Sequence, residues 1–256
     1  MVIRVAVAGC AGRMGQAVVE AVNGADDMEL VCGIDPFAGQ ESGFPVFKDV
    51  ASALEGAAFD VMVDFTQPDV VAGNIRAALP AGVDCVIGTT GLSNEVLEEL
   101  AALAPEGNCL FVAPNFTVGA VLMMRFAEMA APYLDEAEVI EFHHARKKDA
   151  PSGTAKRTAE IIAAAREAAP SVPGRESELP GCEGARGAVV DGVPVHSVRS
   201  MGYVACQEVI FGSMGQSLTI RHDSWDRSSY MPGVLLAVRK VRERSGLIVG
   251  LEHFMF

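Results

Sequence analysis

Short apolar runs alternate with segments of helical period through the first half of the chain. IRVAVAG (residues 3–9) predicts a strand, MGQAVVEAV (14–22) a helix and MELVCGID (28–35) a second strand. Three more strands are expected at 60–66 (DVMVDFT), 84–91 (DCVIGTTG) and 108–116 (NCLFVAPNF), separated by the helices PDVVAGNIRAAL and SNEVLEELAAL. These strands are apolar on both faces, so the sheet they form must be shielded from water on both sides. That is the pattern of an α/β domain, a parallel sheet covered by helices.

The pattern changes after residue 116. A Met-rich helix (TVGAVLMMRFAEMAAPYL) leads into the strand AEVIEFHH, and a second long helix is expected from Pro151 to about Ala168. Residues 169–192 are rich in Pro, Gly and charge and predict a loop. VPVHSVRS, YVACQEVIFG and QSLTIRHDS then follow with no helix between them, implying an open sheet, mixed or antiparallel, in a second domain of α+β type. A last helix is expected over 231–246 (MPGVLLAVRKVRERSG), able to pack back on the first domain.

Charge narrows the partners. The 256 residues hold 20 Lys and Arg against 33 Asp and Glu, a formal net charge of −13. Such a field repels nucleic acid and anionic membrane, and neither is expected as a partner. A small anionic substrate would need a local island of cations. No apolar run approaches the ~20 residues of a membrane span. The six cysteines are scattered, with no C-x-x-C, and mostly sit in apolar runs, as buried thiols of a reducing compartment do. A cytoplasmic protein is expected.

GCAGRMG joins the first strand to the first helix. Its glycines 9, 12 and 15 allow a tight turn whose amides can face a pyrophosphate, with Gly9, Cys10, Ala11, Gly12, Arg13 and Met14 as candidate contacts. The usual fingerprint wants a middle glycine where Ala11 stands, and a ligand-free turn would look the same. Asp35 adds to the nucleotide reading: it ends the second strand, where dinucleotide domains place the acid that holds the ribose hydroxyls. GTTG (Gly88, Thr89, Thr90) and APNF (Ala113, Pro114, Asn115, Phe116) lie at the tips of strands on the same sheet edge, which favours a shared cleft.

EFHHARKKDAPSGTA (141–155) is the most unusual stretch. Adjacent side chains on a strand point to opposite faces, so His143 and His144 can serve one site only if the strand ends there. Arg146, Lys147 and Lys148 follow, and Ser152, Gly153 and Thr154 open a helix whose free amides attract an anion. An imidazole, cations and an anion seat in one loop describe a site for a small, multiply charged acid. No acidic cluster accompanies the histidines, so no metal is expected.

This segment closely resembles the signature of the 4-hydroxy-tetrahydrodipicolinate reductases, or dihydrodipicolinate reductases, of lysine and diaminopimelate biosynthesis. AGCAGRMG, VDFT, VIGTTG, APNFTVG, VHSVR and RHDSWDRSSYMPG also fall in the family's order. The resemblance implies a Rossmann-like dinucleotide-binding domain over 1–116 and 227–256, with a substrate-binding and oligomerisation domain over 117–226 whose open sheet builds a homotetramer. It implies hydride transfer from NADH or NADPH to C4 of a cyclic imine dicarboxylate, with loss of its 4-hydroxyl as water. His143 then matches the acid/base residue and Lys147 the proton donor, while His144, Ser152, Gly153 and Thr154 match substrate contacts. Many members carry a cation immediately after the ribose acid and another after the VDFT strand. Pro36 and Gln67 stand there, so NADH is the expected preference, with NADPH usable. Another two-domain amino-acid dehydrogenase, or a nucleotide-sensing homologue without the reaction, would share the glycine turn but has no need of HHARKKDAPSGT.

Overall fold

The computed structural model describes residues 2–38, 43–166 and 179–256. The chain divides into two compact units, Met1–Val118 with Arg227–Phe256, and Gly119–Asp226. The first unit runs β1 (Ile3–Ala8), α1 (Arg13–Asn23), β2 (Met28–Ile34), β3 (Val46–Phe47), α2 (Val50–Gly56), β4 (Val61–Asp64), α3 (Pro68–Ala78), β5 (Asp84–Ile87), α4 (Asn94–Ala101) and β6 (Cys109–Val112). The second holds α5 (Val118–Ala130), β7 (Glu136–His143), α6 (Gly153–Ala165), β8 (Ala188–Val190), β9 (Val193–Arg199), β10 (Ala205–Ser213) and β11 (Gln216–Ser224). The chain then returns to the first unit with α7 (Met231–Val241), β12 (Gly246–Val249) and α8 (Glu252–Met255).

The first unit is a Rossmann-like parallel sheet of seven strands in the order β12-β6-β5-β4-β1-β2-β3. The four residues of β5 and the last four of β1 are all buried, as expected of strands covered on both faces. Three helices start where the chain supplies a cap or a proline: Asp49 caps α2, Ser93 caps α4 and Pro68 opens α3.

Three strands are shorter than their apolar runs suggest. β4, β5 and β6 end at Asp64, Ile87 and Val112, leaving Phe65–Thr66, GTTG and APNF as loops at the sheet edge. Gly88 packs where a Cβ would fall 2.1 Å from the Phe65 ring, and Gly91 has φ +105°, so the chain turns rather than continues. The helix expected over 231–246 stops at Val241. Gly246, at φ +77°, then opens β12, a strand that the apolar pattern does not predict and that pairs with β6. α7 sits close beneath the sheet tips: a Cβ on Gly233 would lie 1.9 Å from the Phe116 carbonyl oxygen.

The second unit is a mixed sheet in the order β11-β10-β7-β9-β8, with only β7 and β9 parallel. Ala137, Val139 and Glu141 of β7, with Val209 and Phe211 of β10, point to one buried face. Met123 and Ala127 of α5 and Ala155, Ala159 and Ile162 of α6 cover it. The alternate residues Ile140, Phe142 and Ile210 remain half-buried on the other face. α6 ends at Ala165, short of the expected Ala168, because Arg166 turns to extended backbone (φ −92°, ψ 121°); residues 167–178 of the expected helix end and loop lie outside the described residues. Residues 188–190, read as loop, form β8 because β9 offers them an antiparallel partner.

One buried carboxylate fixes the loops of the first sheet edge. Asp64 has no exposed surface; its Oδ1 accepts from the Thr66 N–H (2.9 Å), the Thr66 hydroxyl (2.7 Å) and the Thr89 hydroxyl (2.9 Å). Its Oδ2 accepts from the Asn74 amide at 2.7 Å. Loops after β4 and β5 and the helix α3 therefore meet on one side chain. Asp64→Asn substitutes a donor for one acceptor oxygen and removes the charge. Urea unfolding should show a loss of about 2–3 kcal/mol. A loss below about 0.5 kcal/mol, the ordinary effect of a neutral surface change, would mean the loops are held by other contacts.

Candidate active site

The turn between β1 and α1 is made by close backbone approach. Gly9 has φ +77°, its N–H donates to the Ile34 carbonyl at 2.8 Å, and its own carbonyl accepts from the Gly12 N–H at 2.9 Å. A Cβ on Gly15 would stand 2.0 Å from that carbonyl, so only glycine lets α1 begin here. Gly12 occupies the N-cap, no side chain caps the first turn, and that turn holds no acid. Its amides are therefore placed for an anion. Around them Arg13, Met14, Thr66, Gln67, Thr90 and Arg227 line a single cleft with Gly12, Gly88 and Thr89. An uncapped helix start, a backbone without side chains in the way and two arginines fit the pyrophosphate of a dinucleotide.

The other expected cofactor residues stand differently. Asp35 accepts from the Ala11 N–H (3.1 Å) on one oxygen and from the Phe37 N–H (2.9 Å) on the other, which fixes the carboxylate beside the turn. Cys10 is buried beneath the turn, and burial together with Asp35 pushes its thiol pKa up, so it offers the site backbone rather than a reactive sulfur. Ala113, Pro114, Asn115 and Phe116 do not line the cleft of Arg13. Phe116 is core: its ring packs 5.6 Å from that of Phe65 and 5.9 Å from that of Phe111. Pro114 is exposed and Asn115 half-buried, with the Asn115 side chain accepting from the Thr117 N–H at 2.8 Å.

In the second unit β7 ends at His143, which meets the condition for the two histidines to diverge from strand geometry. His144 begins a turn in which its carbonyl accepts from the Lys147 N–H at 3.1 Å. The His143 side chain is 14% exposed, whereas His144, Arg146 and Lys148 are on the surface. Lys147 is largely covered and its ammonium lies 2.8 Å from both Asp149 oxygens, which holds the Asp149 carboxyl below its ordinary pKa. The loop ends in a cis Ala150–Pro151 bond, and α6 follows.

Ser152 is the N-cap of α6, is almost fully buried, and accepts the Ala155 N–H on its hydroxyl at 3.2 Å. The outward groups of the helix start are those of exposed Gly153 and half-buried Thr154. Beneath them lies Glu141, with no exposed surface. Its oxygens accept from Arg199 (2.7 and 2.8 Å) and from the Ser152 N–H (3.1 Å), and one of them meets His143 Nδ1. Burial alone would favour the neutral acid. The bonds from His143, Arg199 and Ser197 outweigh it and bring the carboxyl pKa down to about 2.

Sequence reasoning passed over Glu141, Arg199 and Arg227. Glu141 reads as an ordinary strand residue until its burial is known. Arg199 reaches the site through the parallel register that sets it beside His143. Arg227 joins the cleft because the chain re-enters the first unit at that residue. Only the place of VHSVR and RHDSWDRSSYMPG in the family's order hinted at the last two.

Comparison with known proteins agrees along the whole chain. The N-terminal family model of dihydrodipicolinate reductase matches residues 3–116 and the C-terminal model residues 119–255. A 4-hydroxy-tetrahydrodipicolinate reductase of Mycolicibacterium vanbaalenii is 50% identical over 255 residues, 99% of each chain. A solved structure of a dipicolinate-bound dihydrodipicolinate reductase from Paenisporosarcina sp. TG-14 superimposes with a TM-score of 0.89 at 42% identity, covering 99% of each chain. A probable dehydrogenase from Thermotoga maritima, with a TM-score of 0.65 at 13% identity over 98% of this chain and 92% of that one, shares the fold alone. The chain belongs to the dihydrodipicolinate reductase family, the NAD(P)H-dependent 4-hydroxy-tetrahydrodipicolinate reductases.

Proposed function

We propose that this protein reduces 4-hydroxy-tetrahydrodipicolinate to tetrahydrodipicolinate, with one NAD(P)H and one proton consumed and the 4-hydroxyl released as water. The observation that carries the reading is the histidine loop: His143, Lys147 and the start of α6 gathered over the buried Glu141–Arg199 pair. A ring with two carboxylates needs cations and free amides, and Gly153 and Thr154 at the helix start, with Lys147 and the exposed His144, supply them. The dinucleotide, when bound at the glycine turn, supplies the hydride. His143 exchanges protons with the reacting ring, since an imidazole does so near neutral pH. Lys147, charged by default, polarises the imine and donates a proton to it.

NADH is the preferred reductant. The Asp35 carboxylate is anchored by two backbone amides where the ribose hydroxyls would sit, and no Lys or Arg occurs between Asp35 and Lys48 to receive a 2′-phosphate. The face of the mixed sheet that carries Ile140, Phe142 and Ile210 assembles four copies into a homotetramer. The described cysteines are all free and, apart from Cys182, buried, which suits a reducing cytoplasm. Among the described residues no helix is long and apolar enough to cross a membrane.

The test follows NADH oxidation with the substrate generated in situ from pyruvate and aspartate semialdehyde by the preceding synthase. Activity is expected, and its absence with correctly folded protein would overturn the reading. His143→Ala and Lys147→Ala should each lower kcat ~10²–10⁴-fold while NADH still binds; near-normal kcat in both would reassign the roles. kcat/KM measured for both cofactors at one ionic strength should favour NADH, because salt screens the charge at issue. Equal values or an NADPH advantage would show that a cation such as Arg13 reaches the 2′ position.

A further inference from the structure

We propose that Glu141 is the positioning residue of this site: its buried carboxylate holds His143 by Nδ1, so that Nε2 is the nitrogen turned to the substrate. The inference rests on the reading of the histidine loop as the substrate site. Glu141 and His143 stand two apart on β7 and therefore share a face of the strand. His143 Nδ1 meets Glu141 Oε2, the same oxygen that accepts from Arg199 Nη1 at 2.8 Å. Oε1 accepts from Arg199 Nη2 at 2.7 Å and from the Ser152 N–H at 3.1 Å.

The chemistry of the donors fixes the tautomer. An ionised carboxylate only accepts, and this one stays ionised to about pH 2. The Nδ1 that faces it must carry hydrogen whether the ring is neutral or protonated. The proton that comes and goes is therefore on Nε2. Arg199 makes this tolerable by neutralising a charge that burial would otherwise penalise. Arg199 is itself held by the Val198 and Asp149 carbonyls, at 2.9 and 2.7 Å. The same carboxylate binds the N–H of the residue that caps α6, so imidazole orientation and anion seat are set by one group. Glu141 touches neither substrate nor cofactor in this arrangement; it acts through His143.

Glu141→Gln keeps the volume but offers a donor as well as an acceptor. The variant should lose kcat on the order of 10²-fold, the scale at which orienting partners of a working histidine act. Because the Gln carbonyl oxygen can still accept from the Ser152 N–H and keep the anion seat, KM for the substrate and Kd for NADH should stay within about threefold, well under the tenfold that 1.4 kcal/mol represents. Glu141→Asp, still an acceptor, should recover part of the kcat. A readout independent of turnover is the long-range ¹H–¹⁵N spectrum of protein labelled at histidine, with His143 assigned by its loss in His143→Asn. At alkaline pH the wild-type ring should be the Nδ1–H tautomer, and Glu141→Gln should shift it toward a mixture. An Nε2–H tautomer in the wild type, or unchanged kcat in Glu141→Gln, would overturn the proposal. Should Glu141→Gln not fold, the wild-type tautomer alone decides. An Nδ1–H tautomer in a protein that fails to reduce the cyclic imine would overturn the proposed function and leave the positioning role standing.

Discussion

Burying an ionised carboxylate costs several kcal/mol unless nearly every lone pair finds a donor. Glu141 sits fully inside the second unit and satisfies that demand with a guanidinium from β9, the amide that opens α6 and the imidazole at the end of β7. Those donors come from three elements: His143 and Ser152 lie close to Glu141 in sequence, whereas Arg199 is 58 residues away. Losing any one would leave the charge under-compensated, so the strand end, the neighbouring strand and the helix start are fixed relative to one another. The site geometry follows from this constraint: His143 can turn only as the carboxylate allows, and α6 begins where Ser152 is tied.

The first unit uses the same device at its own sheet edge. Asp64 ends β4 as Glu141 nears the end of β7, and it gathers Thr66, Thr89 and Asn74 from two loops and a helix. In both units an acid is consumed internally, as an acceptor that organises loops. The start of α1 keeps an uncapped first turn beside Arg13 and Arg227, and α6 opens on the outward Gly153 and Thr154, which suits both helix starts to anions. This reconciles a chain of net charge −13 with two anionic ligands. The excess negative charge does not oppose binding where it is already paired.

The alternation of apolar runs and helical segments was enough to foresee the parallel sheet, because strands buried on both faces advertise themselves by composition. The glycine turn and the histidine segment were equally legible, since close backbone approach and local charge are written in consecutive residues. Short elements were not. β3 has two residues and β12 four, and each exists only because a partner strand lends it a register. The helix expected over 231–246 overran α7, whose charged last turn continues the helical pattern past the true end at Val241, and residues 247–249 of β12 carried no expectation. Arg199 and Glu141 were illegible as site residues for a related reason: one depends on strand pairing, the other on burial, and neither is a property of neighbouring residues. Ser152 shows the converse, a residue conspicuous in the motif whose hydroxyl caps the helix it opens.

The proposed reaction requires a dicarboxylate seated by the start of α6 beside an imidazole held from behind. A crystal structure of the protein with pyridine-2,6-dicarboxylate measures this directly. One carboxylate is expected about 3 Å from the N–H of Gly153 or Thr154, with the Nε2 edge of His143 facing the ring. A dicarboxylate lodged in the cleft of Arg13 and Arg227, or bound with Nδ1 of His143 released from Glu141, would contradict it.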